Sequence, residues 1–390
     1  MTTHFRFNNG GTIIAFEDAF IRRDSFSSGG LWGWGDNASP NGGSLGDNTS
    51  VTKSSPVQTI AGGTNWKQLA RGYFHEAAIK TDGTLWMWGN NGNGQLGDNT
   101  GVAKSSPVQT IASGTIWRQV SCGQFCTAAI KTDGTLWTWG YNGFGQLGDN
   151  TVASKSSPVQ TIAGGWIWKQ VSCGLNITAA IKSDGTLWLW GYNQNGQTGD
   201  NTIVGKSSPV QTIAAGTPWK QVSCGHQHVG AIKTDGTLWM WGYNYNGQIG
   251  DNTVAHKSSP VQTIAGGTNW KQVTGGASHT AAIKQDGTLW AWGRNDFGGP
   301  LGDNTLTSKS SPVQTVSGGN NWKQLSCGYF HTASIKTDGT LWVWGYGVDG
   351  ELGDNTSTSK SSPVQTIAAG TNWKQVSAGF YGTAAITDIF

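Results

Sequence analysis

The amino-acid sequence predicts an all-β protein, a seven-bladed β-propeller with four strands in each blade. The pattern Leu-Trp-x-Trp-Gly occurs seven times at intervals of 51 to 54 residues. Each repeat also contains four short strand-like segments separated by glycine-rich turns, which is typical of a propeller blade. Finally, each chain end carries half of a repeat. The first tryptophans of the seven patterns are Trp32, Trp86, Trp137, Trp188, Trp239, Trp290 and Trp342.

One repeat shows how the four strands are recognised. Apolar and polar residues alternate along residues 117–123, and residues 127–131 form a second, more apolar strand. An Asp-Gly pair follows and predicts a tight hairpin turn, because glycine adopts the positive φ that this turn needs. Residues 135–140 place both of their tryptophans on one face of a third strand. Residues 157–161 begin with Ser-Pro and are predicted to be the fourth, outermost strand.

The two chain ends are predicted to complete one blade together. Residues 31–35 and 55–60 form third and fourth strands that lack a first and a second. Residues 373–379 and 383–387 form a first and a second strand that lack the other two. Pairing the two halves closes the ring and removes the strand edges that an open array would expose.

The composition excludes several classes of protein. Charged residues make up only 12% of the chain, the formal net charge is +3, and no basic run is present. This argues against a nucleic-acid partner held by phosphate contacts. No apolar stretch approaches the length of a membrane span, and the N-terminus does not fit a signal peptide. Four of the five cysteines share one repeat position, where ring geometry keeps them apart, so free thiols are expected.

The repeat itself resembles a known family. The segment from Gly328 to Trp342 reads GYFHTASIKTDGTLW, and the other copies vary this theme. It resembles the regulator of chromosome condensation (RCC) repeat, whose members form seven-bladed propellers. The resemblance covers residues 30–390. The near-identical short repeats are closest in character to bacterial and phage members.

The resemblance implies a binding role but does not select one. Family members include a nucleotide-exchange factor for a small GTPase, an inhibitor of β-lactamase and a tryptophan-based ultraviolet receptor. The exchange factor uses an inserted wedge and basic tails, which this chain lacks. The light receptor carries Gly-Trp-Arg-His-Thr where this chain reads GYFHE at 72–76 and GYFHT at 328–332. Neither of these two roles is therefore expected of this chain.

No catalytic constellation is found, so we expect no enzyme activity, no cofactor and no metal. A general base or metal ligand should not be replaced by Ile or Gly in sister copies, so the family's histidine position is interpreted as a turn cap. The Gly-Asp-Asn-Thr tetrad of each repeat is interpreted as a turn stabilised by its own side chains rather than as a Ca²⁺ site. The histidine position holds His75, Cys126, Ile177, His228, His279, His331 and Gly382.

Two short turns differ between the copies, and they carry aromatic side chains. One turn joins the first and second strands and the other leaves the third strand, so both should lie on the same rim of the propeller. Aromatic and arginine side chains dominate binding hot spots, and we predict an exposed rim that binds a partner. Drift in unconstrained turns is the alternative. The predicted partner-binding residues are Tyr73, Phe74, Phe125, Tyr141, Phe144, Tyr192, Tyr243, Tyr245, Arg294, Phe297, Tyr329, Phe330, Tyr346, Phe380 and Tyr381.

The N-terminal region matches no repeat. The predicted organisation is an apolar arm at residues 1–28 and a propeller at residues 29–390. We expect the arm to fold back on the propeller or to anchor it to other structural proteins, with several copies in a larger assembly. The leading prediction is a phage tail or baseplate component, located in the virion, or a surface adhesin that binds a protein or glycan. The alternative is a cytoplasmic protein-interaction module or inhibitor. The arm residues predicted to anchor are Phe5, Phe7, Ile13, Phe16 and Phe20.

Overall fold

The architecture is the predicted seven-bladed β-propeller. The computed structural model describes residues 6–7, 13–14, 29–38, 42–60, 63–111, 117–162, 167–213, 216, 218–316, 319–367, 370 and 372–388. These residues form 30 strands, of which 28 build seven four-stranded antiparallel sheets. None of the described segments forms a helix with the length and apolarity needed to cross a membrane.

The strands of each blade are counted outward from the central channel. The first strands are β5 (Trp66–Arg71), β9 (Trp117–Cys122), β13 (Trp168–Cys173), β17 (Trp219–Cys224), β21 (Trp270–Gly275), β25 (Trp322–Cys327) and β29 (Trp373–Ala378). The second strands are β6 (His75–Lys80), β10 (Cys126–Lys131), β14 (Ile177–Lys182), β18 (His228–Lys233), β22 (His279–Lys284), β26 (His331–Lys336) and β30 (Gly382–Thr387).

The third strands carry the tryptophan pairs and the fourth strands form the outer edge. The third strands are β3 (Leu31–Gly35), β7 (Leu85–Gly89), β11 (Leu136–Gly140), β15 (Leu187–Gly191), β19 (Leu238–Gly242), β23 (Leu289–Gly293) and β27 (Leu341–Gly345). The fourth strands are β4 (Lys53–Gln58), β8 (Lys104–Gln109), β12 (Lys155–Gln160), β16 (Lys206–Gln211), β20 (Lys257–Gln262), β24 (Lys309–Gln314) and β28 (Lys360–Gln365). Blades 1 to 6 run in chain order from β5–β8 to β25–β28.

Blade 7 is built from both ends of the chain, as predicted. Its strand order is β29-β30-β3-β4, and Leu31 pairs with Ile386 while Gly35 pairs with Gly382. Gly29 forms a bridge with Trp66 at the start of a first strand. The propeller therefore begins and ends at the face that carries the hairpins between second and third strands.

The predicted strand limits in blade 7 differ slightly from the observed ones. The fourth strand spans 53–58 rather than 55–60, because Lys53 already pairs with Gly35 across a bulge. At its other end the Ile60 amide leaves the sheet and donates to the Gly46 carbonyl, 3.0 Å away. The first strand ends at Ala378 instead of residue 379, and the second spans 382–387 instead of 383–387.

Two residues of the N-terminal arm pair with two others. β1 (Arg6–Phe7) and β2 (Ile13–Ile14) form a two-stranded antiparallel ladder. Of the predicted anchoring residues, Phe5, Phe16 and Phe20 lie outside the described residues, and so do the side chains of Phe7 and Ile13. The anchoring role of the arm therefore stays a prediction.

Large apolar side chains join neighbouring blades. Between blades 1 and 2, Trp117 and Trp139 pack with Ile79, Leu85 and Met87 in one buried cluster. Clusters of the same composition occupy the other interfaces. Burying an aromatic side chain of this size stabilises a fold by several kcal/mol, roughly 25 cal/mol per Å² of apolar area, before conformational entropy is subtracted.

The loop after each third strand reaches over the outer strand of the next blade. In blade 1 the Asn99 amide donates to the Ser156 carbonyl at 2.9 Å, and Asn99 has a φ of 61°. A Cβ on Gly94 would lie 2.4 Å from the Ser156 Cα, so only glycine fits this approach. Because each outer strand is also a contact for the preceding blade, the Lys-Ser-Ser-Pro-Val-Gln segment is the same in all seven copies.

The Gly-Asp-Asn-Thr tetrad forms the predicted turn. The Thr100 amide and hydroxyl both donate to Asp98 Oδ1, at 3.0 and 2.7 Å. Asn91 Nδ2 also donates to this carboxylate at 2.9 Å. These hydrogen bonds to the charged carboxylate hold the pKa of Asp98 below its usual range, against the opposing effect of burial. The tetrad is thus a structural turn that positions the loop on the next blade.

The family's histidines join blades instead of capping turns, so that sequence interpretation is wrong. Nε2 of His75 lies 2.9 Å from Oγ1 of Thr127 in the next blade, and His279 makes the corresponding contact with Thr332 at 3.0 Å. His228 and His331 pair with Thr280 and Thr383 in the same way. Burial lowers the pKa of each of these four histidines to about 3, so the rings are neutral.

The junction between blades 7 and 1 uses different residues, and we call it the seam. The histidine position holds Gly382, the following blade's threonine position holds Glu76, and the cysteine position holds Arg71. The Arg71 guanidinium binds the Glu76 carboxylate and also donates to Ser44 Oγ at 3.2 Å. A Cβ on Gly382 would lie 2.4 Å from Arg71 Nη2. The missing histidine side chain therefore makes room for the arginine.

Candidate functional site

Both variable turns lie on one face of the propeller, which we call the loop face. In blade 1 the amide of Asn90, just after β7, donates to the carbonyl of Phe74 in the first turn at 2.7 Å. Tyr141 and Phe125 make the same contact in blade 2 at 2.9 Å. The two turns are thus adjacent in each blade, as the alternation of strand directions predicts.

Aromatic side chains from three blades meet at the mouth of the central channel. The ring centroid of Tyr329 lies 4.0 Å from that of Phe380 and 6.0 Å from that of Tyr73. Phe380 also contacts Phe74 at 5.3 Å and Tyr381 at 4.0 Å. Centroid distances of this size are those of interacting aromatic pairs, so the five rings form one packed cluster.

This cluster continues along the loop face in both directions. On one side, ring contacts of 5.3 to 6.4 Å connect Phe74 through Phe125, Tyr141 and Phe144 to Tyr192. On the other side, Phe330 stacks on Phe297 at 4.6 Å. We call the connected set the aromatic crescent; it consists of Tyr73, Phe74, Phe125, Tyr141, Phe144, Tyr192, Phe297, Tyr329, Phe330, Tyr346, Phe380 and Tyr381.

The remaining predicted site residues lie in two places. Arg294 belongs with the crescent, since its Cζ lies 4.1 Å from the ring centroid of Phe297. Tyr243 and Tyr245 are in blade 4 and do not join it. Tyr243 packs on His256 with a centroid distance of 4.7 Å, and Tyr245 is 71% exposed. The crescent is therefore interrupted at blade 4.

The predicted exposure of this surface needs correction. The six aromatic residues at the channel mouth, Tyr73, Phe74, Tyr329, Phe330, Phe380 and Tyr381, are half-buried. They point toward the axis from different blades and so cover one another. The exposed members are Phe144 and Phe297, at 41% and 39%. Burial raises the pKa of Tyr73, as does the nearby Tyr329, so the Tyr73 phenol stays neutral.

One contributor was not among the predicted binding residues. His226, from blade 4, stacks across the channel on Tyr73 with a centroid distance of 5.5 Å and contacts Tyr329 at 5.7 Å. Burial lowers its pKa to about 4. Its place in the same variable turn as the aromatic residues of other blades was a signal for this role, because equivalent turns converge on the axis.

A narrow cavity lies beneath the channel mouth. It has a volume of about 170 Å³ and is lined by the first strands of all seven blades. Tyr73, His226 and Tyr329 stand at its end. All five cysteines are free and buried, and four of them contact this cavity, namely Cys122, Cys173, Cys224 and Cys327. Burial raises the pKa of Cys327 to about 12, so its thiol is protonated and weakly reactive.

Carboxylates gather at one edge of the crescent, between blades 6 and 7. We define the acidic edge as Asp36, Asp349 and Glu351 together with Tyr346 and Tyr381. The Asp36 amide donates to the Tyr381 carbonyl at 2.7 Å, and the two tyrosine rings lie 6.2 Å apart. Burial, reinforced by Asp349 and Asp36, raises the pKa of Glu351 to about 8. Among the described residues, no three His, Cys, Asp or Glu side chains converge closely enough to hold a metal ion.

Comparison with known proteins identifies the repeat. The RCC1-like domain family matches residues 25–262, and the regulator of chromosome condensation (RCC1) repeat matches residues 286–335 and 338–386. The chain is 30% identical to the ultraviolet-B receptor UVR8 of Arabidopsis thaliana over 82% of this chain and 74% of that protein. It is also 30% identical to the mitochondrial RCC1 domain-containing protein RUG3 of the same plant, over 73% of this chain and 66% of RUG3.

Solved structures share the fold. The structure of Prp20p from Saccharomyces cerevisiae superposes with a TM-score of 0.81 at 19% identity, over 94% of this chain and 93% of that one. UVR8, RUG3 and Prp20p are eukaryotic proteins, so the predicted bacterial or phage character receives no support from them. The family matches and the shared propeller together establish that this chain belongs to the RCC1 repeat family.

Proposed function

We propose that the protein is a non-catalytic scaffold that binds another protein through the aromatic crescent. The observation that carries this proposal is the continuity of the crescent, in which twelve aromatic side chains from six blades contact one another on a single face. Large aromatic side chains contribute much contact area with few rotatable bonds, and they are enriched in binding hot spots. A binding or regulatory role also agrees with membership of the RCC1 family.

The shape of the crescent supports one docking orientation. The blades are near copies, so a symmetric loop face would offer several equivalent positions to a partner. The break at blade 4, where Tyr243 packs on His256, removes that equivalence. Arg294 adds a positive charge over Phe297 at one end, and the acidic edge adds carboxylates near Tyr346 and Tyr381. These ends differ in charge, which favours a single register.

The virion tail, baseplate and adhesin roles stay predictions from the sequence. Their support is the near-identity of the repeats and the unmatched arm at residues 1–28. UVR8 is named a receptor, which is a regulatory role, and Prp20p is described by its binding to Gsp1p and histones. We therefore place a cytoplasmic regulatory module with a protein partner ahead of the virion component.

The exposed members of the crescent allow a direct test. Sister copies carry Asn93, Asn195 and Asn246 at the position of Phe144 and Phe297, so Phe144→Asn and Phe297→Asn are compatible with the fold. We expect the double variant to bind a partner captured from the native source at least tenfold more weakly, with an unchanged melting temperature. Isothermal titration with the purified partner would measure this.

The matched control is Tyr245→Gln, which removes an exposed aromatic side chain outside the crescent and introduces the residue found at position 194 of the preceding blade. It should bind normally. Equal binding by the double variant would contradict the assignment of the crescent. Loss of binding after enzymatic removal of glycans from the partner would instead identify the ligand as a glycan.

A further inference from the structure

One of the seven blade junctions differs from the others in charge on the loop face. The loop after β27 contributes Asp349 and Glu351, and Asp36 follows the third strand of the next blade. At the junction of blades 1 and 2 the same three positions hold the neutral residues Asn93, Gln95 and Tyr141. The three carboxylates are thus specific to the junction between blades 6 and 7, and they border the aromatic crescent.

Glu351 is buried with an unused acceptor. Its side chain is fully buried, and its Oε2 accepts a hydrogen bond from the Asp349 amide at 3.0 Å. Its other oxygen, Oε1, has no hydrogen-bond partner among the described residues. An unsatisfied buried acceptor is unfavourable, because the oxygen has given up water without a replacement.

Sister copies show where this oxygen points. The Gln95 side-chain amide donates to Asn90 at 2.8 Å, and the Gln146 amide lies 3.5 Å from the Asn176 oxygen. In the repeat, Asn90 corresponds to Tyr346 and Asn176 corresponds to Tyr381. Glu351 Oε1 therefore faces the space beside these two tyrosines, where it meets no donor among the described residues.

The residues around this space have the chemistry that recognises an organic cation. The rings of Tyr346 and Tyr381 are half-buried, with centroids 6.2 Å apart and planes inclined by 45°. Aromatic faces attract guanidinium and ammonium groups, and carboxylates bind them by charge-assisted hydrogen bonds. The carboxylates do not converge as metal ligands do, so a larger cation fits their spacing better.

The charge of the acidic edge is not neutralised within the described part of the propeller. Asp349 and Glu351 form no ion pair there with a lysine or arginine. The arginine of the neighbouring seam, Arg71, is held by Glu76. Burial and the nearby Asp36 raise the pKa of Asp349, in keeping with a site that lacks a positive group.

We propose that the acidic edge binds an arginine or lysine side chain of the protein that docks on the aromatic crescent. This inference rests on the proposed function, since it names a chemical feature of that partner. The cation would lie against Tyr346 and Tyr381 and contact Asp36 and Asp349, with Glu351 behind them. An acidic or wholly apolar partner surface would not match this part of the loop face.

Small probes test the site without knowledge of the partner. The eight tyrosines would be labelled with ¹³C in their rings, and Tyr346→Phe and Tyr381→Phe would assign the two signals. N-acetyl-arginine-N-methylamide and the lysine analogue should shift both signals in a saturable manner at millimolar concentration. The citrulline analogue, which has the same shape as arginine but no charge, should not shift them.

The matched variants carry residues that sister copies already use. Asp36→Asn, Asp349→Asn and Glu351→Gln reproduce Asn90, Asn93 and Gln95, so the combined variant should fold. We expect it to bind the arginine probe at least tenfold more weakly. Saturable shifts caused by CaCl₂ and not by the arginine probe would overturn the proposal in favour of a metal site. Absence of any shift with both basic probes would also overturn it.

The proposed function and this inference fail in different ways. If the crescent binds a protein but the acidic edge does not take its cation, Phe144→Asn/Phe297→Asn weakens partner binding and the carboxylate variant leaves it unchanged. If the crescent binds no protein, the double phenylalanine variant has no effect, whatever the probes do at Tyr346 and Tyr381.

Discussion

The seam between blades 7 and 1 provides a quantitative test of how the ring is held closed. Arg71→Cys introduces the residue that four other blades carry and leaves the Glu76 carboxyl group fully buried without its cation. Removing one partner of a buried ion pair costs roughly 3 to 5 kcal/mol of the free energy of unfolding. Burial already raises the pKa of Glu76 to about 7 with Arg71 present. Protonation of Glu76 therefore limits the loss in acid.

The pH dependence follows from this pKa. Below pH 7 the wild-type Glu76 is protonated, so little charge is stranded when Arg71 is removed. At pH 8 the wild type has released the proton and the variant has not, and one pKa unit corresponds to about 1.4 kcal/mol. We expect the loss in Arg71→Cys to be larger at pH 8 than at pH 5.5 by about 1.4 kcal/mol. Urea unfolding followed by circular dichroism at both pH values would measure it.

A triple variant is the control. Arg71→Cys, Glu76→Thr and Gly382→His together recreate the histidine-threonine contact that joins blades 1 and 2. The triple variant should recover to within about 1 kcal/mol of the wild type, because a neutral buried hydrogen bond replaces the ion pair. The reasoning would be refuted by a triple variant as unstable as Arg71→Cys alone, or by an Arg71→Cys loss below about 1 kcal/mol.

Two further outcomes are expected. Glu351 is ionised above about pH 4.5 when unfolded but only above about pH 8 when folded, so its contribution to stability is lost as the pH rises between these values. Glu351→Gln should therefore be more stable than the wild type at pH 9, by at most about 5 kcal/mol at 1.4 kcal/mol per pKa unit, with little difference at pH 4; equal unfolding midpoints at pH 9 would contradict this. Asn99 has a φ of 61°, so Asn99→Ala should lower the free energy of unfolding by about 1 to 2 kcal/mol and Asn99→Gly by less. A larger loss in the glycine variant, measured by urea unfolding, would show that the contacts of the side chain matter more than its backbone conformation.

Much of the fold could be predicted because the repeat contains local information seven times. The alternation in residues 117–123, the Asp-Gly turn and the proline of the outer strand each indicate local structure. The placement of both variable turns on one face followed from strand alternation alone. The pairing of β3 with β30 followed from the incomplete repeats at the two ends.

The rest depends on contacts between blades, which a local pattern does not reveal. His75 looked like a turn cap because its partner, Thr127, is 52 residues away in the next blade. Likewise, the aromatic turns were expected to be exposed, since nothing in one repeat shows that Tyr73 and Tyr329 meet over the channel. Arg71, Glu76 and Gly382 were visible as departures from the repeat, but their mutual compensation requires the closed ring.

The composite origin of blade 7 determines how the protein can be attached to other things. Gly29 and Asp388, the outermost described residues of the propeller, both lie at the face opposite the aromatic crescent, next to Trp66 and Asn372 respectively. A linker, tag or support joined near either of these residues would hold the disc from behind. The crescent would remain free to receive a partner while the opposite face is tethered.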